Sequence, residues 1–262
     1  MFQAVHNIES HRLLLEQPND NQLLYKVIPI RHFIDMLEKN YLYFRRVDTY
    51  ADDKSDGEQL PLDRKIHETI GFIKDPTYTT DKYYDSARSR SYASCLSLEN
   101  SDYIWKNYGN SGKDAICLEV EFGKLRRELN DTLLNMPWYY GPYPIKSIFS
   151  INYGIAEYVD WHNSQNSFRN PIKYLYMKNK EKYQEEKELR VSLSAMGTVK
   201  FVLSDSTEIE FPEFINFPFN FKKAFGEDII KRILKTPACD RALLTTLADK
   251  ITKLGFKVCL ED

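Results

Sequence analysis

The heptapeptide Ile116-Cys117-Leu118-Glu119-Val120-Glu121-Phe122 changes class at every residue. With a side-chain period of two, Ile116, Leu118, Val120 and Phe122 share one face and Cys117, Glu119 and Glu121 the other. It is the clearest strand in the chain, so the fold contains a sheet with one apolar side. Further strands are expected at residues 23–28, 41–44, 93–98, 145–153 and 186–193. A hairpin is expected at 199–203 and 208–211, and a last strand at 256–260. A helix follows Pro29, because Ile30, Phe33, Ile34 and Leu37 recur at i, i+3, i+4 and i+7, and Asn40 suits a left-handed cap. Other helical segments are expected at 101–108, 125–135, 171–182 (basic) and 236–254, the last stopped by Gly255. Residues 45–63 read as a polar surface loop, 82–91 as an exposed loop and 137–144 as an aromatic loop. Strands dominate the middle with helices at intervals, an α+β pattern rather than a doubly wound sheet.

The 262 residues are 42% hydrophobic, which excludes a disordered chain. One domain spanning 1–262 is expected, with a polar N-terminal extension over about 1–22. A net charge of -2 excludes a uniformly basic coat but leaves room for a local basic groove. No apolar run approaches the roughly 20 residues of a membrane span, and no leader with an apolar centre is visible, so a cytoplasmic protein with no membrane partner is expected. Neither GxGxxG nor GxxxxGK[ST] occurs. Cys95, Cys117, Cys239 and Cys259 form no CxxC pair and the five histidines no HExxH or HxH. Reduced buried thiols and no metal site are therefore expected.

Chemistry is most concentrated at Glu186-Lys187-Glu188-Leu189-Arg190-Val191-Ser192. On a strand, Leu189 and Val191 face the core, while Glu186, Glu188, Arg190 and Ser192 share the other face, with the two carboxylates about 7 Å apart. Such a pair is a candidate for acid/base work or for stabilising a cation; a solvated face with cross-strand salt bridges is the other reading. Two stretches interleave positive charge with aromatic rings. One carries Lys82, Arg88 and Arg90 with Tyr83, Tyr84 and Tyr92. The other runs from Arg169 to Arg190 and includes Lys173, Lys178 and Lys182 with Tyr174, Tyr176 and Tyr183. Single-stranded nucleic acid needs phosphate contacts and stacking platforms of this kind, so Lys178, Lys182, Arg88 and Arg90 are the candidate nucleic-acid contacts. A solvated helix face explains either stretch alone.

In order and spacing, several pieces resemble the bacterial family known as domain of unknown function 2971. They are Leu24-Tyr25-Lys26-Val27-Ile28-Pro29, then Tyr50-Ala51-Asp52-Asp53 and Ser94-Cys95-Leu96-Ser97. After these come Trp105, Tyr108, Gly112, the 116–122 strand, Lys178, Tyr183 and Glu186 to Arg190. Ala51 and Asp53 replace the Asn and Pro of that family's FNDP element, and Tyr183 replaces a Trp. More distantly, a first-strand residue, a Ser-x-x-Ser strand and a late Glu-x-Glu strand are similar to ADP-ribosyltransferases of the DarT type. That resemblance implies a split β-sheet core with a cleft and peripheral helices, and NAD as the substrate cofactor. It implies Glu188 beside the ribose cation and Glu186 orienting the acceptor or taking its proton. It also implies Tyr25, Lys26, Ser94, Ser97 and Arg190 around NAD, with Trp105 and Tyr108 as stacking rings. The expected activity is ADP-ribosyl transfer to RNA or single-stranded DNA, as the toxin of a toxin–antitoxin or anti-phage system, with an antitoxin protein as partner. Two further readings stay open. One is a non-catalytic nucleotide-sensing module of the same fold. The other is a nuclease using Asp48, Asp52, Glu186 and Glu188, which the wide separation of those acids in the chain disfavours.

Overall fold

The computed structural model describes residues 8–135, 139–140, 143–144, 149–195, 200–203, 205–256 and 260–261. Nine strands among them build one mostly antiparallel sheet: β1 (Leu23–Pro29), β2 (Tyr41–Arg46), β3 (Ser91–Ser97), β4 (Ala115–Glu121), β5 (Phe149–Ile155), β6 (Glu188–Ala195), β7 (Phe214–Pro218), β8 (Ile230–Leu234) and β9 (Leu260–Glu261). Six helices of seven residues or more accompany it: α1 (Ile30–Lys39), α2 (Pro61–His67), α3 (Thr80–Arg88), α4 (Asp102–Tyr108), α5 (Phe122–Asn135) and α6 (Arg241–Lys253). The chain is thus α+β.

The alternation at 116–122 has the expected consequence. Ile116, Leu118 and Val120 enter the main core with Leu24 and Ile28 of β1, Phe44 of β2, Leu189, Val191 and Leu193 of β6, and Phe217 of β7. The core is closed by α1, whose Phe33, Met36 and Leu37 are buried, and by α6, which packs on α1 through Leu247 and Ile251. Asn40 ends α1 in the left-handed region (φ 53°) and Gly255 follows α6 at φ 75°. The opposite face of the sheet is covered in two patches. Over β1 and β4, Ile104 and Trp105 of α4 pack on Cys117 and Val27; over β3, Val47, Ile172, Leu175 and Tyr176 pack on Ala93. The space between the patches is the cleft described below.

The N-terminal stretch is not a loose extension where it is described. The Ile151 N–H donates to Ile8 O (2.9 Å) and the Ile155 N–H to Glu16 O (2.8 Å), so residues 8–16 run along the outer edge of β5. Asn152 Oδ1 accepts from the His11 N–H at 2.9 Å.

Several segments differ from the sequence reading. Residues 45–63 are not a surface loop. Asp56, Gln59 and Asp63 are buried, because Arg190, His67 and Tyr174 supply their hydrogen-bond partners. The exposed loop expected at 82–91 is helix α3 and the start of β3. The basic helix expected at 171–182 is broken into two single turns, Pro171–Tyr174 and Lys180–Tyr183, by a short strand, Met177–Asn179, parallel to Glu157–Val159. The last helix begins at Arg241, where the Asp240 carboxylate accepts from the Ala242 and Leu243 N–H groups, not at Thr236. The hairpin at 201–209 is present. Trp138, the start of the 145–153 strand, Cys259 and most of the 256–260 strand lie outside the described residues.

Candidate functional site

One edge of β3 is paired with β6 along its length, from Ser97↔Glu188 to Ser91↔Ser194. Its other edge is shared. β2 pairs only with Ala93 and Tyr92, and β1 only with Ser97. The sheet therefore forks at Ser94–Leu96. Lys26 reaches into the fork, its Nζ donating to Cys95 O (2.8 Å) and Ser94 Oγ (3.2 Å), so a side chain stands where a strand would continue the ladder. On the face opposite the main core, the fork opens into a cleft of about 380 Å³.

The cleft floor is a buried charge cluster. Lys178 Nζ lies 3.1 Å from Glu188, 3.2 Å from Glu186, 3.7 Å from Asp56 and 3.8 Å from Asp53. Arg190 binds Glu188 Oε1 through Nε (2.6 Å), Asp56 Oδ2 through Nη2 (2.8 Å) and Leu175 O through Nη1 (2.7 Å). Four carboxylates thus face two cations. Asp56 is delivered by a turn in which Gly57 has φ 70° and a Cβ would stand 2.9 Å from Leu175 Cδ2, so the close approach and the dihedral both require glycine. Glu188 starts β6, but Glu186 does not share the strand. It lies in the single helical turn Gln184–Glu186, and Lys187 (φ 44°) turns the chain before β6. The two glutamates still meet, because Lys178 holds both.

Their protonation differs in direction. Burial raises the Glu186 pKa above the ordinary carboxylate value, and Lys178 offsets this only in part while Glu188 adds to it. Burial acts on Glu188 too, but Arg190 and Lys178 together overcome it and hold its carboxyl well below that value. Lys178, despite burial, is raised by Glu188, Asp56 and Glu186. Lys26 is lowered by burial, with Cys95 and Glu188 countering. Burial pushes the Cys95 thiol up to about 12, so it stays protonated. A raised folded-state pKa makes ionised Glu186 a destabilising group. The penalty appears as pH rises past the unfolded value of about 4.3 and is complete above the folded value. Glu186→Gln is therefore expected to raise the thermal midpoint at pH 7, with the gain vanishing below about pH 4.3. A midpoint at pH 7 equal to or below that of the parent protein would contradict this ionisation.

The residues singled out from sequence separate into two groups. Tyr25, Lys26, Ser94, Ser97, Tyr108, Glu186, Glu188 and Arg190 all line the cleft. Tyr108 is half exposed at the mouth and its hydroxyl donates to Glu186 Oε1. Ser97 Oγ donates to Glu186 O at 2.9 Å and so fixes the turn that carries Glu186. Ser94 Oγ serves Lys26. Arg190, expected to bind cofactor, is 1% exposed and its guanidinium is engaged by Asp56, Glu188 and Leu175, so it organises the floor and presents nothing to a ligand. Trp105, expected to stack on a ring, packs in the α4–β4 patch with its indole N–H on Asn100 Oδ1 at 2.8 Å, away from the cleft lining. Lys178, expected on a phosphate backbone, is buried and ion-paired, which removes it from that role. Arg88 donates to Asp56 O and Lys54 O and pairs with Glu58, bracing the Asp56 loop instead of facing solvent. Lys182 is exposed on a single helical turn.

Asp53, Asp56, Arg45, Tyr43, Tyr50 and Tyr183 line the cleft without having been picked out as site residues. For Asp56 the sequence offers only the polarity of residues 45–63, which reads equally as a loop, while Asp53 is marked besides as the end of the Tyr50–Asp53 piece. Asp48 is bound to Arg46 at 2.6 Å and is absent from the cleft lining, so the four acids of the nuclease reading do not converge. Among the described residues no group of three or more His, Cys, Asp or Glu is arranged to hold a metal ion, and no helix is long and apolar enough to cross a membrane. No protein-family model matches the chain, and a search of curated proteins finds no match.

Proposed function

We propose that the cleft cleaves the N-glycosidic bond of NAD and transfers ADP-ribose to a nucleic acid, as the likeness to ADP-ribosyltransferases implies. The observation that carries this reading is the glutamate pair at the fork, one carboxylate held ionised and the other pushed toward protonation. Two carboxyl groups with divergent pKa values are the usual equipment of glycosyl transfer. As the C1′–N bond breaks, its electron pair leaves with nicotinamide and positive charge develops on the ribose. Ionised Glu188 stabilises that charge, which exists mainly in the transition state. The acceptor's lone pair then attacks C1′, and its proton passes to Glu186, whose raised pKa suits it to receive one. Tyr108 and Tyr25 supply aromatic walls for the nicotinamide ring. A transferase of this kind acting on RNA or single-stranded DNA suits a toxin, and the proposal includes a neutralising antitoxin protein.

The test is incubation of the protein with NAD labelled in its adenylate half, together with cellular RNA, DNA and protein, followed by fractionation. Label is expected in nucleic acid and free nicotinamide in solution. Label on polypeptide alone would reject the nucleic-acid acceptor, and no nicotinamide release would reject the transferase.

A second reading, a non-catalytic module that senses a nucleotide, draws on a specific observation. Glu188 is only 3% exposed, already accepts from Arg190 and is ion-paired with Lys178. A carboxylate so neutralised has less charge to offer a transition state. Under that reading NAD or a related nucleotide binds but persists.

A further inference from the structure

Of the nucleic-acid contacts expected from sequence, Lys178 and Arg88 are engaged within the protein. Arg90 lies beside a separate cavity at the far end of β3, outside the cleft lining. A different surface adjoins the cleft. β7 is an outer strand of the sheet and pairs with β2 through Phe214↔Arg45 and Asn216↔Tyr43. Phe44, Ile215 and Phe217 enter the main core, so Tyr43, Arg45, Phe214 and Asn216 stand on the other face, the one that carries the cleft. Neither of the two patches covering that face includes a residue of β2 or β7. Tyr43 and Phe214 are accordingly 38% and 43% exposed. Their rings are stacked on each other, with centroids 5.4 Å apart and planes inclined by 28°.

This pair is continuous with the cleft, because Tyr43 and Arg45 also line it. Arg45 donates through Nη2 to Thr49 O (2.6 Å) and through Nε to Thr49 Oγ1 (3.3 Å), and its guanidinium lies 5.5 Å from the centre of the Tyr50 ring. These contacts fix the side chain and leave its Nη1 end over; among the described residues Arg45 has no ion-pair partner. Exposed rings beside a guanidinium free of any carboxylate are what single-stranded nucleic acid uses, bases stacking on the rings and phosphates meeting the charge. We propose that the Tyr43–Phe214 face is the docking surface of the acceptor strand, with an unpaired base stacked on the rings and a neighbouring phosphate on Arg45. Asn216 and Glu213 flank the rings and are exposed. The apolar area is therefore small for an interface between copies, which buries on the order of 1,000 Å² or more. Glu213 also keeps the surface from being uniformly basic, which suits one base and one phosphate better than a long polyanion. That the strand is the acceptor rests on the function proposed above; that the rings hold an unpaired base does not.

The test titrates the full chain, without NAD, with a short single-stranded RNA, the DNA of the same sequence, their blunt duplexes, and a strand of equal length whose residues are abasic. The two single strands are expected to bind and the duplexes and the abasic strand to bind feebly, since only the former offer unstacked bases. Phe214→Thr removes the ring and keeps a residue suited to a strand. It should weaken single-strand binding about fivefold to a hundredfold, the range for losing one base–aromatic stack. Phe214→Trp should restore it. Arg45→Gln should flatten the log–log salt dependence by about 0.7, one phosphate, whereas Phe214→Thr should leave that slope unchanged. If Phe214→Thr fails to fold, Phe214→Leu takes its place with the same expectation. Unchanged affinity for both single strands, in a variant that melts like the parent protein, overturns the proposal. Two other occupants would do so as well. Weakened binding of NAD with undiminished binding of the strands would place the adenine ring on this face. A parent dimer that Phe214→Thr dissociates, again with undiminished binding of the strands, would place a second copy there. Because the titration uses no NAD, its failure leaves NAD cleavage standing, and failure of NAD cleavage leaves the docking surface standing.

Discussion

Arg190→Met should destabilise the protein by about 3–5 kcal/mol, the usual cost of removing one partner from a buried ion pair. The side chain is 1% exposed and ties together three parts of the chain distant in sequence: β6 through Glu188, the 53–57 turn through Asp56, and the 171–175 turn through the Leu175 carbonyl. Methionine fills a similar volume but leaves Asp56 buried with only Lys178, at 3.7 Å, for compensation. The penalty is then the desolvation of an uncompensated carboxylate, not the lost attraction. Adding Asp56→Asn removes that charge and should recover part of the loss, so the two changes will not add. Urea unfolding of the two single variants and the double variant measures this. A single-variant loss below about 1 kcal/mol would place Arg190 among ordinary surface pairs and contradict the buried cluster.

Glu188→Gln should lower kcat/KM for NAD cleavage by about 10²–10³ under the proposed function, the range for removing one preorganised electrostatic group. The same assay carries a pH signature. Glu186 must be ionised to accept a proton, so activity should fall as pH drops through its raised pKa, above the ordinary carboxylate range. Glu186→Gln should remove that limb of the profile and leave a low, flat rate. Glu188 is not expected to titrate in the same window, since Arg190 and Lys178 keep it ionised. Rates are compared per mole of folded protein, because Glu188 also has a structural role. Undiminished label transfer by Glu188→Gln would remove it from catalysis, and binding without turnover by the parent protein would favour the sensing module.

Local pattern was enough to read much of the fold. The period of two at 116–122, the i, i+3, i+4, i+7 series after Pro29, Asn40 as a left-handed cap and the hairpin at 201–209 each depend on neighbours within a few positions. What the sequence did not disclose depends on distant partners. Asp56 looked like loop polarity because its counter-charge, Arg190, lies 134 positions away. Lys178 looked like a solvated lysine for the same reason: Glu186 and Glu188 are near it in sequence, but Asp53 and Asp56 are not. The Glu-x-Glu spacing points to two residues that do line the cleft, but not for the reason of a shared strand face: Lys187 takes a left-handed conformation and Glu186 arrives from a helical turn. Trp105 is the opposite case, since the resemblance implies a stacking ring while the packing of α4 turns that ring inward.

The strip formed by residues 8–16 has a consequence for how the molecule behaves in a crowded solution. β5 is an outer strand, and the Ile151 and Ile155 amides along its free edge are taken up by Ile8 and Glu16. An outer strand with vacant amides and apolar side chains is a template on which a second copy can add its own strand. The protein covers that template with its own N-terminal residues, so the segment that looks most dispensable in sequence acts as a guard against self-association. Shortening it is expected to open that border to a second copy, and also to take Leu15 out of the cluster around Val47 and Tyr176 and Glu9 away from Arg126.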